Sequence, residues 1–332
     1  MRKKKVTMQD IATAVGVSQP TVSVILNGSG SIKVSDDTRD KVIAKAKELG
    51  YVFRNSISHA KSHPRIALLV NSINMHDPFV NAISAAKVRA WELDALIAVY
   101  DYEDNEELKQ SMLKEIEAGY YDALIYAFNT PKQEQESIHT NIPLLFLNCT
   151  HPQYQSDVPS IVTSDFIGGY RATEHLIQQG YKNIAMVTGE SWSDSSIQRV
   201  KGFRQAMTNH DLPINDALIV AGNWSVKQSY LAISSLLDNP STTVDAIFCA
   251  SDLMALGAYQ ALSARQLAIP SDVAVMGYDN QLLASQLTPS LSSVDLPYDE
   301  MGRLAVETVL SDIKPELMLI KVEGDLVVRE ST

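Results

Sequence analysis

Side chains able to perform catalysis do not form a recognisable site in this 332-residue sequence. The chain contains no P-loop, no glycine-rich dinucleotide fingerprint after a strand, no HExxH zinc motif and no GxSxG nucleophile elbow. Its 7 histidines are scattered, and none has a spacing that indicates a carboxylate and a nucleophile beside it. We therefore predict a protein that is not an enzyme and that needs neither a cofactor nor a metal.

The cysteines and the N-terminal residues indicate the compartment. Cys149 and Cys249 have no metal-ligand spacing, and although a disulfide between them stays open, a reducing cytosol with two small buried residues is the simpler interpretation. The sequence has no run of 18 apolar residues, and MRKKKVTMQD leads into a polar helix rather than an apolar stretch. We expect a cytoplasmic protein with neither a membrane span nor a secretory signal.

The net charge of -11 is distributed unevenly. Residues 1–62 contain 11 Lys and Arg against 5 Asp and Glu, whereas the remaining residues contain 17 against 34. A basic head on an acidic body indicates nucleic-acid binding at one end only. A charged leader over residues 2–5 would also raise the number of Lys and Arg in this region without any DNA binding. The motifs of the head must therefore distinguish the two interpretations.

The head has the pattern of a helix-turn-helix. Thr7, with Asp10 three positions later, predicts the start of a first helix, and Gly16 predicts its end. Ser18 predicts the start of a second helix, and a third is expected over about residues 35–49. Two short helices joined by a tight glycine turn, together with the basic excess, favour DNA binding over a generic three-helix bundle.

The body alternates short apolar runs with amphipathic segments, which predicts parallel sheets with buried faces. The pattern restarts near Val162, so we predict two doubly wound lobes with a ligand cleft at the carboxyl ends of their strands. The predicted strands are RIALLVN (65–71), DALIAVYD (94–101), DALIYAF (122–128), PLLFLN (143–148), NIAMVTG (183–189), DAIFCAS (245–251) and DVAVMGYD (272–279).

Nearly the whole chain resembles the lactose-repressor/galactose-repressor (LacI/GalR) family of transcriptional regulators. VTMQDIATAVGVSQPTVSVILNG is similar to the head of that family, and TSDFIGGYRATEHLIQQGYKNIAMVTG, SSIQRVKGF, DAIFCASDLMALGAYQAL and DVAVMGYDN are similar to its core. The resemblance implies an N-terminal all-α helix-turn-helix head and an α/β two-lobed body like the periplasmic binding proteins, with doubly wound parallel sheets. The implied divisions are the head (1–51), a hinge (52–63), the first lobe (64–163 and 292–323) and the second lobe (164–291 and 324–332).

The same resemblance implies a homodimer that binds palindromic operator DNA with its second helix in the major groove. It predicts a ligand-responsive repressor. Gln19 can pair with adenine, whereas Val24 can only touch a thymine methyl group. The implied DNA-contacting residues are Thr7, Ser18, Gln19, Pro20, Thr21, Ser23, Val24, Asn27, Tyr51, Asn55, Ile57 and Ala60.

The hinge departs from the family pattern. In that family a leucine of this segment wedges into the minor groove, but the matching position here is Ala60. A methyl group is a poor wedge, so either Ile57, one turn earlier, replaces it or the DNA is kinked less.

The resemblance also implies a small polar effector in the cleft between the lobes. Arg199 would donate to neighbouring hydroxyls, Asp279 would accept from one, and Trp224 would cover the apolar face of a pyranose. We predict a sugar, with a nucleoside or purine as the alternative, and a sensor protein without catalytic activity as a further one. The implied effector residues are Asp77, Phe79, Asp165, Ser195, Arg199, Trp224, Asp252, Asp279 and Tyr298.

Some of these residues have an ordinary structural interpretation. Asp165 and Asp252 stand at predicted helix starts, where capping would explain them without a ligand. Trp224 could belong to the core, and Arg199 could pair with a nearby carboxylate. Asp279 is different, because a carboxylate that ends an apolar strand at a switch point has little structural purpose.

Overall fold

The computed structural model describes residues 6–27, 34–49, 63–74, 77–119, 121–154, 157–311, 315–316 and 318–332. These residues divide into two compact units, Met1–Ser62 and His63–Thr332. Among the described residues, none of the helices has the length and apolar character that crossing a membrane requires.

The head contains three helices, as predicted: α1 (Met8–Val15), α2 (Gln19–Asn27) and α3 (Asp36–Glu48). Thr7 caps α1 in a reciprocal capping box with Asp10, and Gly16 ends it in the left-handed conformation at φ 75°. The Ser18 hydroxyl accepts the N–H of Thr21 at 3.2 Å and so caps α2. The core of the head consists of Ile11, Ala12, Val22, Ile25, Leu26, Val42 and Ala46.

The first lobe is built on a parallel sheet of six strands in the order β11-β5-β4-β3-β1-β2. Two helices, α4 and α11, pack on one face of this sheet, and α5 packs on the opposite face. The strands are β1 (Arg65–Val70), β2 (Leu96–Asp101), β3 (Ala123–Gln133), β4 (Leu144–Thr150), β5 (Ser160–Thr163) and β11 (Leu319–Val322), and the helices are α4 (Val80–Glu92), α5 (Glu106–Ala118) and α11 (Tyr298–Leu310).

The second lobe contains another six-stranded sheet, in the order β12-β10-β9-β8-β6-β7. Its pairings are parallel except for the antiparallel pair of β10 and β12. The strands are β6 (Ile184–Thr188), β7 (Ile219–Ala221), β8 (Ala246–Cys249), β9 (Ala274–Asp279), β10 (Ser292–Asp295) and β12 (Leu326–Val327), and the helices are α6 (Asp165–Gln178), α7 (Asp194–Asn209), α8 (Val226–Leu237), α9 (Asp252–Ser263) and α10 (Leu282–Gln286).

One predicted lobe boundary is wrong. Residues 292–295 were expected in the first lobe, but they form β10, which pairs with β9 from Ser292 opposite Met276 to Asp295 opposite Asp279. The chain therefore returns to the first lobe after Asp295, and α11 is the first element there. Sequence patterning missed the short strands β5, β7, β10, β11 and β12, because two to four residues carry too little periodicity.

Helices α6 and α7 are in close contact through two glycines. A Cβ at Gly169 would overlap the Arg199 carbonyl oxygen, and one at Gly202 would overlap the carbonyl oxygen of Phe166. Because backbone atoms lie directly opposite each glycine, neither position has room for a side chain. This approach brings the first turn of α6 beside the start of α7.

We expect Gly202→Val to destabilise the body by about 1–3 kcal/mol, since overpacking forces backbone shifts. Urea unfolding followed by tryptophan fluorescence measures this, because all three tryptophans (Trp91, Trp192 and Trp224) lie in the body. Lys201→Val, at an exposed position of the same helix, is the matched control. Equal stability of the two variants would contradict the close contact of the helices.

Candidate functional site

A buried ion pair joins the two helices at the centre of the second lobe. Arg199 of α7 is only 4% exposed, and its Nε donates to Asp165 Oδ1 at 2.8 Å. Its Nη1 donates to the carbonyl oxygen of Ala250 at 2.6 Å. Burial raises the pKa of Asp165, but the charge and hydrogen bonds of Arg199 outweigh it, so that the pKa is lowered. The interpretation of Arg199 as the partner of a carboxylate therefore holds.

The second carboxylate oxygen of Asp165 binds two hydroxyl groups. Thr163 Oγ1 donates to Oδ2 at 2.7 Å, and Ser195 Oγ donates to it at 3.1 Å. The N-cap of α6 is Ser164, without a side-chain capping bond, so capping does not explain Asp165. Asp165, Ser195 and Arg199 thus form one hydrogen-bonded cluster.

Asp279 and two aromatic rings surround the guanidinium of Arg199. Asp279 Oδ1 lies 3.5 Å from Arg199 Nη1, and the Asp279 backbone has φ 103°. The guanidinium carbon lies 3.6 Å from the ring centroid of Tyr278 and 5.8 Å from that of Trp224. Burial raises the pKa of Asp279 well above its usual range despite the neighbouring Arg199. Prediction missed Tyr278, because in an apolar strand it has the character of a core residue.

Trp224 packs against the core of the second lobe, as its structural interpretation predicted. Its ring packs directly on Gly189 at the end of β6, where a Cβ would overlap the indole, and it contacts the core of the second lobe. It is nevertheless only half-buried, and its backbone is left-handed at φ 56°. Part of the ring therefore remains available beside Arg199.

Asp252 has a structural role different from capping. Ser251 Oγ caps α9 by accepting the N–H of Met254 at 3.2 Å. Asp252, the first residue of α9, accepts Ser293 Oγ at 2.7 Å and the N–H of Gln281 at 2.7 Å. Burial raises its pKa to about 7. Asp252 therefore holds the loop that follows Asp279, and the capping interpretation is wrong.

Three of the predicted effector residues lie in the first lobe, namely Phe79, Tyr298 and Asp77. The rings of Phe79 and Tyr298 pack edge to face with centroids 5.3 Å apart. Asp77 accepts the N–H of Phe79 at 2.9 Å and Asn129 Nδ2 at 3.0 Å, and burial raises its pKa. Burial, followed by the charges of Asp165 and Asp77, raises the pKa of Tyr298.

Asn148, two residues before the end of β4, was also missed. It is fully buried with φ 58°, and its Nδ2 donates to the carbonyl oxygen of Phe128 at 3.0 Å and to Tyr298 Oη at 3.4 Å. Its Oδ1 has no hydrogen-bond partner among the described residues. The strand PLLFLN already ended at this asparagine, so its position at a carboxyl end was the available signal.

A cavity of about 530 Å³ borders this cluster between the lobes. Lys132, Asn148, Asp165, Phe166 and Gln198 are among its lining residues. Of the nine predicted effector residues, Asp165 alone is in the described lining. The cavity therefore adjoins the Arg199 cluster and does not contain it.

The predicted DNA-contacting residues of the head lie around the start of α2. Gln19 and Pro20 are exposed in its first turn, Thr21, Ser23 and Val24 are half-buried, and Asn27 is its last residue. Thr7 and Ser18 have capping roles. Tyr51, Asn55, Ile57 and Ala60 lie outside the described residues, and so does the minor-groove prediction that depends on them.

Two family models match the chain. Residues 7–53 match the model of bacterial regulatory proteins of the lacI family, and residues 173–332 match that of the periplasmic binding protein-like domain. The ribose operon repressor of Haemophilus influenzae is 32% identical over 98% of this chain and 98% of its own length. The chain belongs to the lacI family.

Solved structures of lacI-family proteins have the same architecture. The lac repressor dimer bound to operator and the anti-inducer ONPF is 28% identical, with a TM-score of 0.70 over 99% of each chain. A complex of the transcriptional regulator CelR with cellobiose is 26% identical, with a TM-score of 0.66 over 99% of this chain and 100% of the other. As a lacI-family member, the protein is a DNA-binding transcriptional regulator of the repressor type.

Proposed function

We propose that this lacI-family regulator is a cytoplasmic homodimer whose affinity for a palindromic operator is controlled by a sugar. The sugar binds in the cleft between the lobes, where the cavity of about 530 Å³ adjoins the Arg199–Asp279 cluster of the second lobe. One observation supports this proposal above the others. In the second lobe two carboxylates lie beside the guanidinium of Arg199, with Asp165 Oδ1 at 2.8 Å and Asp279 Oδ1 at 3.5 Å, and in the first lobe Asp77 adds a half-buried carboxylate.

This charge balance favours a neutral ligand rich in hydroxyl groups. Carboxylates accept hydrogen bonds, so a ring of hydroxyl donors suits them. The half-buried Trp224 offers apolar surface for the carbon face of a sugar ring. The complex of the related CelR with cellobiose supports the same ligand class.

A nucleoside or purine is the second candidate, since an exposed aromatic ring can stack on a base. The structure offers less support for this candidate at Tyr278. The guanidinium of Arg199 already covers one face of that ring, 3.6 Å from its centroid, so a base cannot stack there. The half-buried Trp224 and the exposed Trp192, which lines the cavity, remain as platforms in the second lobe. A purine also offers fewer donors to the three carboxylates than a sugar does.

A thermal-shift screen of the full-length protein tests the proposal, with neutral mono- and disaccharides, sugar phosphates, nucleosides and purines as probes. A ligand at about 100 times its Kd stabilises the protein by roughly 2.7 kcal/mol. We expect a neutral sugar to raise the melting temperature, and Asp279→Asn to abolish the rise. Asp216→Asn, which changes an exposed carboxylate of the same lobe, is the control. Stabilisation by nucleosides alone would select the second candidate, and silence across the panel would contradict both.

The head gives a separate prediction for DNA. If Gln19 pairs with adenine, Gln19→Ala should weaken binding to the operator by about 1–3 kcal/mol. The slope of log affinity against log salt should not change, because glutamine neutralises no phosphate. Fluorescence anisotropy on an operator selected from random palindromes measures both quantities. Gln9→Ala, exposed on α1, is the matched control, and equal losses on operator and random DNA would contradict base contact by Gln19.

A further inference from the structure

The loop that follows β9 has an unusual backbone. Asp279 has φ 103° and Asn280 has φ 48°, so two consecutive residues other than glycine are left-handed. Asparagine tolerates this region better than most residues, but the conformation persists only where surrounding contacts impose it. The loop matters because it carries the carboxylate of Asp279 to Arg199.

Asn280 is held at three of its atoms. Its Oδ1 accepts Arg329 Nη2 at 2.7 Å, its Nδ2 donates to Asp295 Oδ1 at 3.1 Å, and its N–H donates to Ser293 Oγ at 3.0 Å. A cation on the oxygen side and a carboxylate on the nitrogen side fix the orientation of the amide. Asn280 thus connects the effector loop to Asp295.

Asp295 lies where two connections between the lobes meet. It is the last residue of β10, and α11 of the first lobe begins three residues later at Tyr298. Its N–H donates to the Asp325 carbonyl oxygen at 2.8 Å, in the segment that joins β11 to β12. A Cβ at Gly324 of that segment would overlap the Asp295 carbonyl oxygen. Movement of Asp295 therefore involves both connections.

We propose that Asn280 is a positioning residue that makes the Asp279 loop and the two connections at Asp295 move together. Arg329 fixes the amide, and the amide transmits displacement of the loop to Asp295. From there the displacement reaches α11, whose Tyr298 contacts Asn148 of the first lobe. The link rests on the proposed function only in treating Asp279 as the effector contact.

Hydrogen exchange of the full-length protein without ligand tests this link. Asp279→Asn removes the charge that faces Arg199 and so perturbs the loop. We expect it to speed exchange of the amides of Asp295 and Tyr298 by about 3-fold or more, as for residues in one hydrogen-bonded network. In an Asn280→Gly background, where the backbone tolerates positive φ but the link is absent, the same change should alter exchange by less than about 1.5-fold.

Two further variants make the result specific. Asn280→Asp keeps an acceptor for Arg329 but cannot donate to Asp295 when ionised. It should therefore also abolish the faster exchange caused by Asp279→Asn. This variant replaces Asn280→Gly if the glycine variant does not fold. Asn183→Ala removes a comparable bond, from Asn183 Nδ2 to Asp245 Oδ2 at 3.1 Å, at the opposite end of the same sheet. In that background the 3-fold response should remain.

Two results would overturn the link. Either the Asp279→Asn response persists in both Asn280 backgrounds, or Asp279→Asn leaves exchange at Asp295 and Tyr298 unchanged in the native background. Because no sugar is used, this outcome is independent of the effector class. A failed ligand screen and a failed exchange experiment therefore contradict different proposals.

Discussion

Replacing Arg199 with methionine should lower the free energy of unfolding of the body by about 3–5 kcal/mol, because it leaves the buried carboxylate of Asp165 without its cation. Both side chains are only 4% exposed, so solvent screens the remaining carboxylate little. The double variant Asp165→Asn/Arg199→Met removes the stranded charge. It should be more stable than Arg199→Met alone. Urea unfolding followed by tryptophan fluorescence measures both variants.

The same helix offers a matched control. Arg204 pairs with Asp216, and these side chains are 41% and 78% exposed. Since surface ion pairs contribute little, Arg204→Met should change stability by less than about 1 kcal/mol. If the two methionine variants were equally stable, or if the double variant were no more stable than Arg199→Met, the buried pair would not have the energetic role assigned to it.

The stability of the native protein relative to Asp252→Asn should fall as the pH rises from about 4 to about 7. The pKa of Asp252 is raised from 3.8 in the unfolded chain to about 7 in the folded protein. Between these values the folded state binds the extra proton, so the contribution is fully present below pH 4 and is lost as pH passes through about 7. With about 1.36 kcal/mol per pKa unit, the loss is about 4 kcal/mol.

Unfolding curves of both proteins at several pH values between 4 and 8 measure this difference. Asp279 is present in both proteins, but the charge of Asp252 contributes to raising its pKa, so the measured difference includes the response of Asp279. Above pH 8 the difference in the free energy of unfolding between the two proteins should be constant. Parallel dependence of the two proteins on pH would contradict the protonation of Asp252.

Local signals predicted the head and the frame of the body correctly. The capping box of Thr7 with Asp10 and the glycine at position 16 act within one or two turns, so their effect is visible in the sequence. The seven predicted strands are present because each is a continuous apolar run long enough to stand out. The free, buried state of Cys149 and Cys249 also agrees with the simpler interpretation of these residues.

The partners within the site could not be predicted in the same way. Arg199 and Asp165 are 34 positions apart, and Asn280 and Arg329 are 49 apart, so only the folded topology brings them together. The role of Asp252 was predicted wrongly for the same reason. Its hydrogen-bond partners Gln281 and Ser293 lie far from it in the sequence, in a different part of the sheet. Side chains at strand ends were identifiable, but which of them meet depended on the strand order.

The most direct test is an operator titration at increasing concentrations of the sugar that stabilises the protein in the screen. We predict that saturating sugar changes the Kd of the full-length protein for its selected operator by about 5–150-fold, and that bound operator changes the Kd of the sugar by the same factor. Asp279→Asn should bind operator with a Kd that the sugar does not alter. If the sugar binds at Asp279 while the operator Kd changes by less than about 2-fold, control of DNA binding by a ligand in this cleft is contradicted.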